Sequence, residues 1–467
     1  MKALFKKGII VVLLFAATFA QAQTVSPVDF MRMNPYQMKA NPATELPYIS
    51  VMGLFLGNIG LDVRTPTLRY DNLFEFDADG RPASVNLRQF ANSLKKSNYL
   101  GCEANVNLLT VYRRLEKGLV TFNYGVRMQG DIKFNDGLFN LLGYGNGAFV
   151  GENNPVEVNL DVDAMAYQEL ALGYQIKVND KLFLGGRAKL LLGMANINTD
   201  VFNAKLYTDP DSYALRVEDD IAMRMAVPRV LYAEDGKLMT DGLFNAIDLF
   251  LNAGFGVDLG AEYRFDDKFS AVASINDLGF IHWGLNNMYG TGKVNNAGQY
   301  YDDGGFLFNG LDVDQLQLII SDDSYRELFM DTLKQYFQME FVPLEAHKTW
   351  LNTNVLLRGN YDLNAYNRVS AQLQARFMGN GFRPAMTLAY SGSFFKAFDV
   401  CATYTMMKGS FDNVGLGLSV CIGTLHIYAT TNNVIGLFKP FNTSGMNVQA
   451  GVVFNLRRPI IRFSEYN

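Results

Sequence analysis

Arg368-Val-Ser-Ala-Gln-Leu-Gln-Ala-Arg-Phe377 puts Val369, Ala371, Leu373, Ala375 and Phe377 on one face of an extended chain. Arg368, Ser370, Gln372, Gln374 and Arg376 fall on the other. Successive side chains of a strand point to opposite faces, so this run reads as one strand with an apolar side and a charged side. The same period of two recurs along the chain. Val257, Leu259, Ala261, Tyr263 and Phe265 alternate with Asp258, Gly260, Glu262 and Arg264. Val120, Phe122, Tyr124, Val126 and Met128 alternate with Thr121, Asn123, Gly125, Arg127 and Gln129. Leu170, Leu172, Tyr174 and Ile176 alternate with Glu169, Ala171, Gly173, Gln175 and Lys177, and Val448 to Leu456 repeats the pattern near the end.

Such strands suit a soluble sandwich, with the apolar face inward, or a membrane barrel, with it outward. The runs are long and their apolar faces are rich in Phe, Tyr and Leu, which favours the barrel. The N-terminus adds export. Lys2, Lys6 and Lys7 precede the apolar run Gly8 to Ala20, and Ala20-Gln21-Ala22 forms an A-x-A cleavage site. Residues 1–22 therefore read as a signal peptide, with the mature chain starting at Gln23 and no following Cys for a lipid anchor. The 467 residues include 35 Phe, 24 Tyr and 42 Gly, and the mean hydropathy is only +0.01. That value excludes a bundle of apolar membrane helices, each of which needs about 20 apolar residues. The net charge is −5 without basic runs, which argues against nucleic acid.

Fourteen strands are expected, at 48–64, 99–112, 118–132, 162–178, 181–199, 252–265, 268–281, 347–361, 366–378, 382–393, 397–408, 414–422, 424–432 and 445–456. The fold class is all-β: a single transmembrane antiparallel β-barrel of about 14 strands, with short helices in long extracellular loops. Connections after even-numbered strands are tight, and the long loops 65–98, 133–161, 200–251 and 282–346 all follow odd-numbered ones. Short turns at one end and long loops at the other is the outer-membrane arrangement, with both termini in the periplasm. Leu87 to Leu100 and Asp323 to Met339 read as amphipathic helices that either cap the barrel or lie outside the pore. The chain then divides into a signal peptide (1–22), an N-terminal periplasmic or lumenal segment (23–47), the barrel (48–456) and a periplasmic tail (457–467).

Three stretches resemble known barrels. Asn41-Pro42-Ala43, within PYQMKANPATELP, resembles the N-terminal Asn-Pro-Ala of barrels of the long-chain fatty-acid transporter type. DLGAEYRFDDKFSAVASINDLGFIHW, Asp258 to Trp283, resembles a Bacteroidota outer-membrane family known as domain of unknown function 5723, as does LKKSNYL, Leu94 to Leu100. The resemblance implies an outer-membrane barrel from a Bacteroidota source, with no established activity. Gln449, Gly451, Phe454 and Leu456 are similar to the terminal-strand signal read by the barrel-assembly machinery, although eleven more residues follow.

In a barrel the polar faces line the lumen, because a charge on the lipid face costs roughly 2–4 kcal/mol at mid-membrane. Lumenal candidates are Arg127, Glu169, Lys177, Arg187, Lys189, Asp258, Glu262, Arg264, Arg358, Arg368 and Arg376. They furnish either a polar conduit or a salt-bridged, plugged interior. No Gly-x-Ser-x-Gly elbow occurs, and His282, His347 and His426 do not share metal-ligand spacing. Asp219-Asp220, Asp302-Asp303 and Asp322-Asp323 lack calcium-loop spacing, and Gly143 to Gly151 lacks the Lys-Ser/Thr of a phosphate loop. No cofactor, metal or enzymatic activity is expected. The expected function is permeation of a small solute across the outer membrane, the alternative being a scaffold or binding barrel for secretion or surface assembly. The expected partners are outer-membrane lipid, the assembly machinery and a small solute or secretion partner. Two finer expectations concern geometry. Trp283 and Trp350 belong at the outer interface. With a five-residue turn at Gly409 to Asn413, Cys401 falls opposite Cys421, in reach of a disulfide; with a three-residue turn it faces Ser419.

Overall fold

In a computed structural model the alternating runs form a closed antiparallel barrel of fourteen strands. The structure describes residues 25–64, 70–77, 82–213, 215–226, 252–284, 287–292, 324, 339–378, 381–395, 397–407, 410–438 and 445–455. The signal peptide, the tail, most of the Asp323 to Met339 helix and the pairs Asp302-Asp303 and Asp322-Asp323 lie outside them. The barrel strands are β1 (Ser50–Arg64), β2 (Asn98–Arg114), β3 (Gly118–Phe134), β4 (Val156–Lys177), β5 (Leu182–Thr208), β6 (Ala253–Arg264) and β7 (Phe269–Trp283). They continue as β8 (Asn354–Asp362), β9 (Asn367–Met378), β10 (Gly381–Phe394), β11 (Phe398–Met407), β12 (Ser410–Ile422), β13 (Leu425–Thr431) and β14 (Gly445–Asn455). His347–Trp350 extends β8 upward against β7. Each strand pairs with its successor, and β1 closes the ring on β14 through pairs such as Val51↔Asn455 and Leu61↔Val448. A closed ring leaves no unpaired sheet edge, a condition for crossing a bilayer with strands. Among the described residues no helix is long and apolar enough to cross a membrane.

The distribution of side chains is that of a membrane barrel. The apolar face points out: Leu172 is 60% exposed, Leu373 57% and Phe382 55%. The polar face points in: Asp258 and Thr387 are 0% exposed and Gln372 1%. Tight turns such as Val178 to Lys181, Phe265 to Lys268 and Leu363 to Tyr366 gather at one end, called here the turn end. The long connections gather at the other, the loop end. There β5 continues well beyond β6 and pairs with the outer strand Leu215–Ala226. A helix, Leu87–Ser93, occupies the front of the expected Leu87 to Leu100 segment; β2 begins at Asn98. Its Phe90 packs edge-on against Phe139 of the helix Gly137–Tyr144.

Two expectations are corrected. Trp283 does not face lipid: it is fully buried in the lumen, stacked on His347, with Nε1 donating to Thr349 Oγ1 at 3.1 Å. A β-bulge at Asn276-Asp277 is the cause. Ile275 pairs with Leu259 but Leu278 with Val257, so one extra residue enters β7 and reverses the face of everything after it. Trp350, across the strand pair, is 67% exposed and lies against Phe280 on the outer surface. Brominated-lipid quenching of the reconstituted protein is therefore expected to act on Trp350 alone and to vanish in Trp350→Phe; quenching that survives this change contradicts the bulge.

Cys401 and Cys421 are not neighbours. Cys401 pairs with Gly417, and Met407 pairs with Ser410, so the β11–β12 connection is two residues long. Asn413, expected in the turn, is instead a buried strand residue whose Nδ2 donates to Thr405 O at 3.2 Å. The register moves by four residues, which separates the two thiols by about 13 Å along the strand, and both are free.

Candidate functional site

A fourteen-stranded ring is wider than the roughly eight strands whose lumen side chains fill unaided, and narrower than the roughly 16–18 of porins that leave a water-filled channel. Here the extra space holds the chain's own N-terminal segment, residues 25–48. It enters no strand pairing of the barrel and is buried along most of its length. Its local shape comes from two Asx/Ser-Pro starts. Ser26 Oγ accepts from Val28 N at 3.3 Å ahead of the 3₁₀ turn Pro27–Phe30. Asn34 Oδ1 accepts from Tyr36 N at 2.9 Å ahead of Pro35–Lys39. Pro in the first turn forfeits no needed donor and fixes φ for the turn.

Wall and plug are fitted to each other. Ser274 Oγ and Asn276 Nδ2 both donate to Ala40 O, at 2.7 and 2.8 Å. Asn41 Oδ1 accepts from Ala43 N at 3.1 Å, which folds Asn41-Pro42-Ala43 into a tight turn against the wall. The wall there is glycine. A Cβ on Gly185 would stand 2.2 Å from Pro42 O, and one on Gly260 2.0 Å from Asn41 Oδ1. Nearer the turn end, Met33 N donates to Asp399 Oδ2 at 3.0 Å, and Tyr48 OH donates to Met33 O at 2.8 Å. Arg358 donates to Asp29 O at 2.7 Å and stacks on Phe30, while Arg264 pairs with Glu45 at 3.0 Å. Val25, Val28, Phe30 and Met31 pack into one apolar cluster with Cys401, which is 0% exposed.

Above the plug lies a charge network. Lys189 Nζ reaches Asp258 at 2.8 Å, Asp277 at 2.5 Å and Glu169 at 3.5 Å. Arg187 pairs with Asp258 at 2.9 Å, and Arg127 with Glu169 at 3.0 Å and Asp277 at 3.4 Å. Arg187 also donates to Lys39 O of the plug at 2.8 Å. Further toward the loop end, Arg376 of β9 crosses the lumen to Glu103 of β2 at 2.5 Å, and Arg383 of β10 approaches Asp131 of β3 at 3.7 Å. Buried charges persist only when paired, and here the pairing spans the barrel.

Residues 42–432 match the model of a family of unknown function, DUF5723. The chain belongs to that family. No curated protein matches it in sequence. Among solved structures, a Pseudomonas aeruginosa FadL homologue is 8% identical, covering 94% of this chain and 99% of its own, with a TM-score of 0.45. The Pseudomonas putida toluene transporter TodX is 8% identical, covering 93% and 98%, with a TM-score of 0.41. The KdgM porin is 10% identical, covering 62% and 94%, with a TM-score of 0.24.

Of the residues singled out from the sequence, Arg127, Glu169, Arg187, Lys189 and Asp258 meet in the network just described. Glu262 pairs with Arg264 at 3.1 Å, and Arg368 pairs with Asp362 at 2.8 Å, close to Arg32 of the plug. Lys177 stands apart, at the foot of β4, paired with Asp180 at 2.7 Å in an exposed turn. Gln449 accepts from Ser26 Oγ of the plug at 2.7 Å, Gly451 lies beneath Gly57 O, Phe454 faces outward, and Leu456 is outside the described residues. Sequence reading missed Asp277, the third carboxylate of the network. Its signal was two consecutive polar residues, Asn276-Asp277, between Ile275 and Leu278, where strict alternation allows one. The plug's own contributors, Asp29, Arg32, Lys39 and Glu45, carried no such signal.

Proposed function

We propose that this protein is a gated channel of the outer membrane for a small hydrophilic solute, closed at rest by residues 25–48. The observation that carries this reading is the fit of a non-strand segment into a polar lumen. The plug rests on glycine and on side-chain hydrogen bonds, so its withdrawal toward the turn end breaks no barrel pairing and leaves a wall of Asn, Gln, Ser, Thr and paired charges. Such a wall is wetted readily and suits a hydrophilic solute. With the turn end in the periplasm, the plug withdraws to the periplasmic side.

Cys401 is a built-in reporter of the gate, being lumenal and covered by the plug. With Cys102 and Cys421 changed to Ser, a soluble maleimide is expected to leave Cys401 unlabelled in the intact barrel and to label it once residues 25–44 are deleted. Rapid labelling of the intact folded protein would overturn the reading.

A further inference from the structure

We infer that Lys39 of the plug and Arg127 of β3 form an oxyanion site on the loop-end side of the closed gate, and that the solute class is a small hydrophilic carboxylate or phosphate. The inference rests on the gate reading only where it names the solute. The site itself is argued from charge.

Within the wall, Arg127, Arg187 and Lys189 balance Glu169, Asp258 and Asp277 one for one. Each carboxylate is already shared by two cations: Glu169 by Arg127 and Lys189, Asp258 by Arg187 and Lys189, Asp277 by Arg127 and Lys189. The plug then adds a fourth cation. Lys39 Nζ donates to the neutral Asn107 Oδ1 at 2.6 Å and lies 5.5 Å from the centre of the Tyr36 ring. Among the described residues no carboxylate lies within 4.0 Å of it; Arg127, Arg187 and Lys189 outnumber Glu169 around it, and the more distant Asp29 is offset by Arg358. Seating the plug with Lys39 protonated therefore leaves the cluster one positive charge in excess, and burial together with the neighbouring cations pushes the Lys39 pKa down to about 7. An enclosed charge without a counter-charge is costly, and the same enclosure strengthens its attraction for an anion.

Access and geometry agree. Lys39 is half-buried, and the Arg127 side chain is 26% exposed, so both retain open surface in the lumen. Asn105 pairs directly with Arg127 across the β2–β3 ladder, and Asn107 with Gly125, one inward row nearer the turn end. An oxyanion entering from the loop end meets an ammonium, the edge of a guanidinium and two carboxamides. Arg offers a planar fork matched to carboxylate and phosphate, and Lys a point charge. An apolar tail finds no partner among Asn58, Asn105, Asn107 and Gln129, all of which line this depth. Because Lys39 belongs to the plug, solute bound there touches the gate directly.

The test uses the full-length barrel in detergent, with lysines carrying reductively added ¹³C-methyl groups, which keep the charge. The Lys39 signal is assigned by its loss in Lys39→Arg. Sodium phosphate and sodium succinate are titrated separately against chloride at constant ionic strength. The Lys39 signal is expected to shift saturably with at least one of them, phosphate alone marking a phosphate site and succinate alone a carboxylate site. By calorimetry, Lys39→Met is expected to weaken that binding at least tenfold while Lys39→Arg stays within threefold. If Lys39→Met does not fold, Arg127→Gln is expected to give the same tenfold loss. No saturable shift with either anion, or unchanged affinity in the variant that folds, overturns the inference. The gate reading is untouched by that failure, because Cys401 labelling is measured without either anion.

Discussion

Lys189→Met is expected to lower the unfolding free energy of the barrel by about 3 kcal/mol, the scale for stripping one partner from a buried charge cluster. Lys189 is 2% exposed and, among the described residues, is the one cation that touches Glu169, Asp258 and Asp277 together. Arg127 and Arg187 remain, but neither reaches all three, so the variant leaves three carboxylates to two guanidinium groups. Met preserves the length and the packing, which isolates the charge. Urea unfolding in lipid vesicles measures the effect, with Lys177→Met as its control, since Lys177 sits in a solvent-screened exposed pair. Adding Asp277→Asn to Lys189→Met is expected to recover part of the loss, because it removes one of the stranded charges. Equal midpoints for Lys189→Met and Lys177→Met would show that lumenal water, and not pairing, carries these charges.

Gly260→Val is expected to drive the plug out while leaving the barrel assembled. A Cβ at Gly260 would sit 2.0 Å from Asn41 Oδ1 and 2.8 Å from Pro42 Cδ, and the three atoms nearest it all belong to the plug. The strand itself accepts Val, a residue that favours extended backbone. Because wall and plug cannot both keep their positions, Cys401 labelling should accelerate at least tenfold over the intact sequence. Gly186→Ala is the control. It lies one residue from the plug-facing Gly185, and its Cβ meets nothing closer than 3.6 Å. Labelling of Gly260→Val at the rate of the unchanged barrel would mean that the turn at Asn41-Pro42-Ala43 does not hold the gate.

The strands were legible because alternation is local: Val369 to Phe377 needs no knowledge of its neighbours to divide into two faces. Loop asymmetry was legible for the same reason, since turn composition marks each tight connection. What alternation does not carry is register. The β11–β12 hairpin turns at two residues where Asp412 and Asn413 suggested five, because a turn-forming residue is also tolerated in a strand when its amide finds a partner, as Asn413 does in Thr405 O. Nor does it carry an inserted residue, and the single extra residue at Asn276-Asp277 was enough to move Trp283 from lipid to lumen. The cross-lumen pairs, Arg127 with Asp277 and Arg376 with Glu103, depend on strand tilt and stagger, which no single strand encodes. The Asn41-Pro42-Ala43 motif pointed to the right segment, but its glycine seat, Gly185 on β5 paired with Gly260 on β6, joins residues far apart in sequence and emerges only when the two strands are side by side.

The gate is tested most directly by single-channel recording in planar lipid bilayers on the full-length barrel and on a barrel lacking residues 25–44, each first shown to be folded by heat-modifiable migration. The full-length protein should be silent, and the shortened one should conduct steadily. A folded, shortened barrel that stays silent, or a full-length barrel that conducts equally well, would contradict the account.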